Sequence, residues 1–123
     1  MKETFFLRPT TEAQEQEILA RWLDFKRLRW CHVANEGKRD VRLGQKLKRL
    51  GMKAGVPDIL IFSPPPATHW PFKGVAIELK IDERAHMTDS QMEWLTALRD
   101  CGWRAERCNG STEAIKFLKG LGY

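Results

Sequence analysis

The chain has 123 residues, 42% hydrophobic and 30% charged, and a net charge of +5. That length suits one domain with its own core, so residues 1–123 are expected to fold as a single unit without staples. No apolar run approaches the roughly 18 residues of a membrane span, and the patch within Met1 to Pro9 is too short for a secretory leader, so the expected compartment is the cytoplasm.

In chain order, Thr11-Glu12-Ala13-Gln14 is a capping box and predicts a helix to about Leu28, with Ile18, Leu19, Trp22 and Leu23 as its apolar stripe. Trp30 to Ala34 is a short strand candidate. Asp40 to Leu50 carries Val41, Leu43, Leu47 and Leu50 among basic residues and reads as a short amphipathic helix ending at Gly51. Residues 57–62 read as a buried strand, since proline is tolerated at a strand start. Pro64-Pro65-Pro66 is a rigid loop. Gly74 to Ile81 alternates cleanly and predicts the next strand. Thr88-Asp89-Ser90-Gln91 is a second capping box, opening a helix with Met92, Leu95, Leu98 and Cys101 inward and stopping near Gly102. Trp103 to Cys108 is a fourth strand, and Ser111 caps a last helix through about Lys119. This order predicts an α/β fold with a four-stranded mixed sheet flanked by helices.

Residues 36–53 hold Lys38, Arg39, Arg42, Lys46, Lys48, Arg49 and Lys53 against Glu36 and Asp40, so seven cations and two carboxylates account for the whole net charge. A localised basic segment fits a phosphate-backbone partner, and equally a solvated face. Three cysteines, Cys31, Cys101 and Cys108, form no C-x-x-C pair, and His32, His69 and His86 share no ligand spacing with them. Buried thiols and ordinary surface histidines are the expected reading.

The chemistry concentrates in the third strand. Val75, Ile77, Leu79 and Ile81 point one way, and Ala76, Glu78 and Lys80 the other. Charged residues inside a strand are costly unless paired or used. Asp58 stands at the mouth of the preceding strand, after Gly55-Val56-Pro57, where an extended, closely approached backbone is expected. If these strands pair, Asp58 and Glu78 converge beside Lys80. Two hard carboxylates suit Mg²⁺, and the lysine can orient or deprotonate a water or hold a phosphate oxygen. Alone, an E-x-K pair fits a surface ion pair on an edge strand just as well.

The set as a whole is more specific. Gly55-Val56-Pro57-Asp58, then Glu78-Leu79-Lys80, then Gln91 at a helix start resembles the PD-(D/E)-x-K nuclease superfamily. Within it the chain resembles the virus-type replication–repair nuclease (VRR-NUC) domain in its stand-alone, phage-like form. Glu12 with Gln16 and Leu23, Asn35-Glu36-Gly37-Lys38-Arg39, Leu50-Gly51, Ile77 and Trp94-Leu95 add to the match, which spans roughly residues 11–115. The resemblance implies a restriction-endonuclease-like αβββαβ core and metal-dependent hydrolysis of DNA, with Mg²⁺ as cofactor and Mn²⁺ as a substitute. It carries over Asp58, Glu78 and the Leu79 carbonyl as metal ligands, Lys80 as the catalytic lysine and Gln91 as a site residue. Glu12 and Gln16 are the first-helix candidates, with Glu15 competing. Gln91 is equally explained as a capping-box residue, and Glu12 as a first-turn charge favoured by the helix dipole.

Lys38, Arg39, Arg42, Lys46, Lys48 and Lys53 are the expected DNA contacts. Stand-alone relatives resemble Holliday-junction resolvases, which implies a homodimer acting on four-way junctions in a bacterial or phage-infected cell. Phe5, Phe6, Leu7, Trp70 and Phe72 are spare apolar residues for its interface. A flap, nicking or restriction-type nuclease is the alternative enzyme, and a decayed DNA-binding module the alternative of another class.

Overall fold

Two capping boxes start the helices that frame the sheet. In the computed structural model, which describes residues 10–34 and 40–123, the Thr11 hydroxyl accepts from the Gln14 N–H and the Gln14 side chain accepts from the Thr11 N–H. Thr88 and Gln91 repeat the pattern. The elements are α1 (Glu12–Phe25), β1 (Trp30–His32), α2 (Val41–Arg49), β2 (Ile59–Ile61), β3 (Val75–Lys80), α3 (Asp89–Asp100), β4 (Arg104–Asn109) and α4 (Gly110–Gly120).

The sheet runs β1-β2-β3-β4, antiparallel at the first two junctions and parallel at the third. This is the expected mixed four-stranded sheet flanked by helices. β3 is an interior strand and buried along its length to Leu79, which removes the reading of Glu78 and Lys80 as an edge-strand surface pair. Its alternation divides two cores. Val75, Ile77 and Leu79 pack with Leu19 and Leu23 of α1 and Ala114 and Leu118 of α4. Ala76 packs on the other face with Ala105 and Leu95 of α3. Each fully buried leucine or isoleucine contributes about 1.5–3 kcal/mol, so β3 is held firmly from both sides.

Several boundaries depart from the sequence reading. α1 ends at Phe25 rather than near Leu28, because Arg27 takes a left-handed conformation (φ 57°) and the Leu28 N–H turns back to the Leu23 carbonyl. β1 ends at His32. On α3 only Leu95 is buried, and Met92 and Cys101 are exposed, because Leu95 and half-buried Leu98 make the contact with Ala76, Ala105, Leu60 and Trp103. Ser111 is not the N-cap of α4. Asn109 takes that position, and Ser111 lies inside the first turn.

α2 forms as expected, capped by the Asp40 carboxylate on the Leu43 N–H, but none of its residues is buried. Val41 and Leu50 are 74% and 72% exposed and Leu47 is half-buried, so most of its apolar stripe is open among the described residues. Lys38, Arg39, Phe5, Phe6 and Leu7 lie outside the described residues.

Candidate active site

The antiparallel register that pairs Ile59 with Ile77 sets Asp58 directly opposite Glu78. Opposed residues of an antiparallel pair share a face, so the two carboxylates converge. Both are buried, Asp58 at 9% exposure and Glu78 at 3%. Asp58 is fixed on both sides of its strand. Its carboxylate accepts from the Leu79 N–H at 2.8 Å, and its carbonyl accepts from the Val33 N–H at 2.8 Å.

Lys80 brings its ammonium 3.5 Å from the Glu78 carboxylate. Gln91 ties the pair to α3: its amide oxygen accepts from the Lys80 ammonium at 3.1 Å and from the Thr88 N–H at 2.9 Å, while its amide nitrogen donates to Glu78 at 3.3 Å. Gln91 therefore caps α3 and at the same time touches both Lys80 and Glu78, with its two ends facing donors and acceptor correctly.

Gly55 makes this arrangement possible. Its φ of +90° is one that side-chain-bearing residues rarely adopt, and a Cβ there would lie 2.6 Å from the Ser90 carbonyl carbon and 2.8 Å from the Gln91 nitrogen. The loop before Asp58 thus lies against the start of α3. The close approach matches expectation, although the backbone at Gly55 turns rather than extends.

A cavity of about 190 Å³ opens on this group and is lined by Glu12, Val33, Gly55, Val56, Asp58, Glu78, Lys80 and Gln91. Of the first-helix candidates, Glu12 faces this cavity, and Gln16 faces an adjoining one with Glu12 and Asp58. Glu15 is committed elsewhere. One of its oxygens accepts from the Ser111 N–H (2.6 Å) and hydroxyl (2.8 Å) at the start of α4, and the other from the Thr10 hydroxyl at 2.7 Å. The Ser111 N–H is the main cause holding the Glu15 carboxyl below its usual range.

The electrostatics show the cost of the central pair. Burial first, and then the Asp58 charge, push Glu78 up to about 8 from the usual 4.5, against the pull of Lys80. Asp58 is also raised, mainly by burial, with the Leu79 N–H opposing. Such a pair retains a proton near neutrality unless a further cation joins it.

Among the described residues no three His, Cys, Asp or Glu side chains cluster as a metal site. The donors that converge here are two carboxylates and backbone, a set that suits Mg²⁺, which takes few protein ligands and keeps its waters. A larger hollow of about 470 Å³ on α3, lined by Asp89, Met92, Glu93, Thr96, Ala97 and Asp100, contains none of these groups, and its acidic rim repels phosphate.

Arg42, Lys46 and Lys48 lie on exposed α2, and Arg49 extends the Arg42–Lys46 row at helical spacing. The sequence reading left Arg49 out of the DNA-facing set. Lys53 borders the first turn of α3 beside Ser90. His32 is exposed, as the sequence reading had it, and places its Nδ1 2.9 Å from the Asp58 carbonyl. No local pattern marks it, since that bond joins residues in different strands.

No curated protein sequence matches the chain. A solved structure described as a VRR_NUC domain protein is similar, with 26% identity, a TM-score of 0.74, and coverage of 94% of this chain and 91% of that one. Residues 10–112 match the VRR-NUC domain, and the chain therefore belongs to that family of PD-(D/E)-x-K-type nucleases.

Proposed function

We propose that the protein is an Mg²⁺-dependent DNA endonuclease centred on Asp58, Glu78 and Lys80. The observation that carries this reading is the pair of buried carboxylates facing each other from interior strands, with a lysine 3.5 Å from one of them. Asp58 and Glu78 would hold the metal, whose charge would offset the burial and the Asp58 repulsion that together raise Glu78 to about 8. An extended residue turns its N–H and C=O toward the same neighbour, and the Leu79 N–H meets Asp58, so the Leu79 carbonyl would serve as third ligand. When bound, a divalent ion, Mg²⁺ or in its place Mn²⁺, would supply an acidified water and neutralise charge on the phosphodiester.

Lys80 orients the attacking water and contacts a non-bridging phosphate oxygen. Gln91 holds that ammonium in place through an amide itself anchored by the Thr88 N–H. Glu12 completes the wall of the cavity.

Arg42, Lys46, Lys48 and Lys53 bind the DNA backbone, with Lys38 and Arg39 beside them in sequence. Neutralising Arg42, Lys46, Lys48 and Lys53 together is expected to weaken binding and flatten its salt dependence, by about 0.9 in log–log slope for each phosphate that the variant no longer neutralises on duplex DNA. Titration of duplex DNA at four or more salt concentrations measures it, and an unchanged slope leaves α2 a solvated face.

The substrate we assign is a four-way junction, cut by a homodimer. One catalytic centre addresses one strand, and symmetric resolution needs two incisions related by the junction's two-fold axis, which a C₂ dimer matches. Trp70, 64% exposed, and the open apolar stripe of α2 offer surface for the contact. A cleavage panel of duplex, flap, fork and four-way DNA, paired with sedimentation at micromolar concentration, tests this. Paired junction cuts by a dimer are expected, and a monomer that cuts flaps and ignores four-way junctions overturns it.

A further inference from the structure

Beside the catalytic cavity lies a second hollow of about 300 Å³, lined by Glu12, Ala13, Gln16, His32, Ala34 and Asp58. The two share Glu12 and Asp58, so this wall lies within reach of a nucleoside next to a phosphate seated at the acidic pair. Among the described residues the lining holds neither lysine nor arginine, so it offers a second phosphate no cation. It is chemically suited to a sugar and base. Ala13 and Ala34 leave room, Gln16 offers an amide donor and acceptor, and His32 offers a ring. The ring is oriented rather than free: its Nδ1 lies 2.9 Å from the Asp58 carbonyl, which can only accept, so Nδ1 carries the proton and Nε2 is turned away from that bond.

We propose that this hollow, resting on the nuclease reading above, is a subsite for the nucleoside flanking the scissile phosphate, with Gln16 and His32 as its base contacts. Gln16 then acts on substrate rather than on the metal. The subsite makes cleavage depend on a base being present at one position beside the cut, and not on the phosphates alone.

The test uses the full chain and a substrate it cleaves, with a single tetrahydrofuran abasic residue placed immediately 5′ or 3′ of the scissile phosphate. Removing the base at one of the two positions is expected to lower kcat/KM about 10-fold or more, within the range for losing a stacked base. Gln16→Ala, and His32→Asn, which keeps a donor for the Asp58 carbonyl, should slow the intact substrate and add no further loss on the sensitive abasic one. Equal rates on intact and abasic DNA at both positions overturn the subsite, as do losses that simply multiply. Failure of the wild-type chain to cut any intact DNA with Mg²⁺ or Mn²⁺ instead overturns the nuclease reading, and the subsite with it.

Discussion

Glu78→Gln is expected to abolish cleavage and, at the same time, to raise the melting temperature of the metal-free protein at pH 8. On the proposed reading the activity loss follows from removing a charged metal ligand while keeping its shape. The stability gain follows from proton linkage. Glu78 is pushed up to about 8 in the fold from the usual 4.5, so between those values the native protein binds more protons than the unfolded chain. Stability therefore falls as pH rises from about 4.5 toward 8, by up to about 1.4 kcal/mol per pH unit, the reverse of an ordinary paired carboxylate. Glutamine carries no such penalty and can still accept from the Gln91 amide that donates to Glu78 at 3.3 Å. The advantage should amount to several degrees at pH 8 and vanish near pH 4.5. Thermal melts of both proteins in chelator across that range measure it, and a variant that melts at or below wild type at pH 8 would show that the buried acid is not strained.

Lys80→Ala should slow cleavage about 10²–10⁴-fold, the usual range for a lost positioned acid–base group, and leave metal binding in place. On the proposed reading the two roles are separate. Lys80 is 3.5 Å from Glu78 but contributes no ligand oxygen, and the Gln91 carbonyl it leaves behind still accepts from the Thr88 N–H at 2.9 Å. Because Lys80 helps to lower the Glu78 value, its loss also strengthens proton competition at the site. Metal affinity is therefore best compared by calorimetry at pH 9, where that competition is weak. A loss of affinity there as large as that of Glu78→Gln would place Lys80 in the metal site.

What the sequence revealed about fold and site depended on how local the signal was. The capping boxes at Thr11 and Thr88 lie within four residues each, and both form as read. The alternation in β3 sorted its two faces correctly, because each face meets a different helix layer. Pairing of Asp58 with Glu78 was legible only on the condition that their strands are neighbours, and the register supplies that condition. The end of α1 was hidden, since Arg27 takes a conformation usually signalled by glycine or asparagine.

Glu12 and Glu15 were inseparable by spacing. The N-terminus of α4, nearly a hundred residues away in the chain, engages Glu15 and leaves Glu12 as the helix acid at the cavity. The contact of His32, exposed as read, was hidden for the same reason, because its partner is a backbone carbonyl distant in the chain.

Whether two buried acids and a metal cut DNA is tested most directly by incision of end-labelled branched DNA by wild type and by Glu78→Gln, each with Mg²⁺ and with chelator. Cleavage is expected from wild type with Mg²⁺ and in none of the other three reactions. Cleavage by wild type in chelator, or near-normal turnover by Glu78→Gln with Mg²⁺, would contradict the assignment of Asp58 and Glu78 as a metal-dependent catalytic pair.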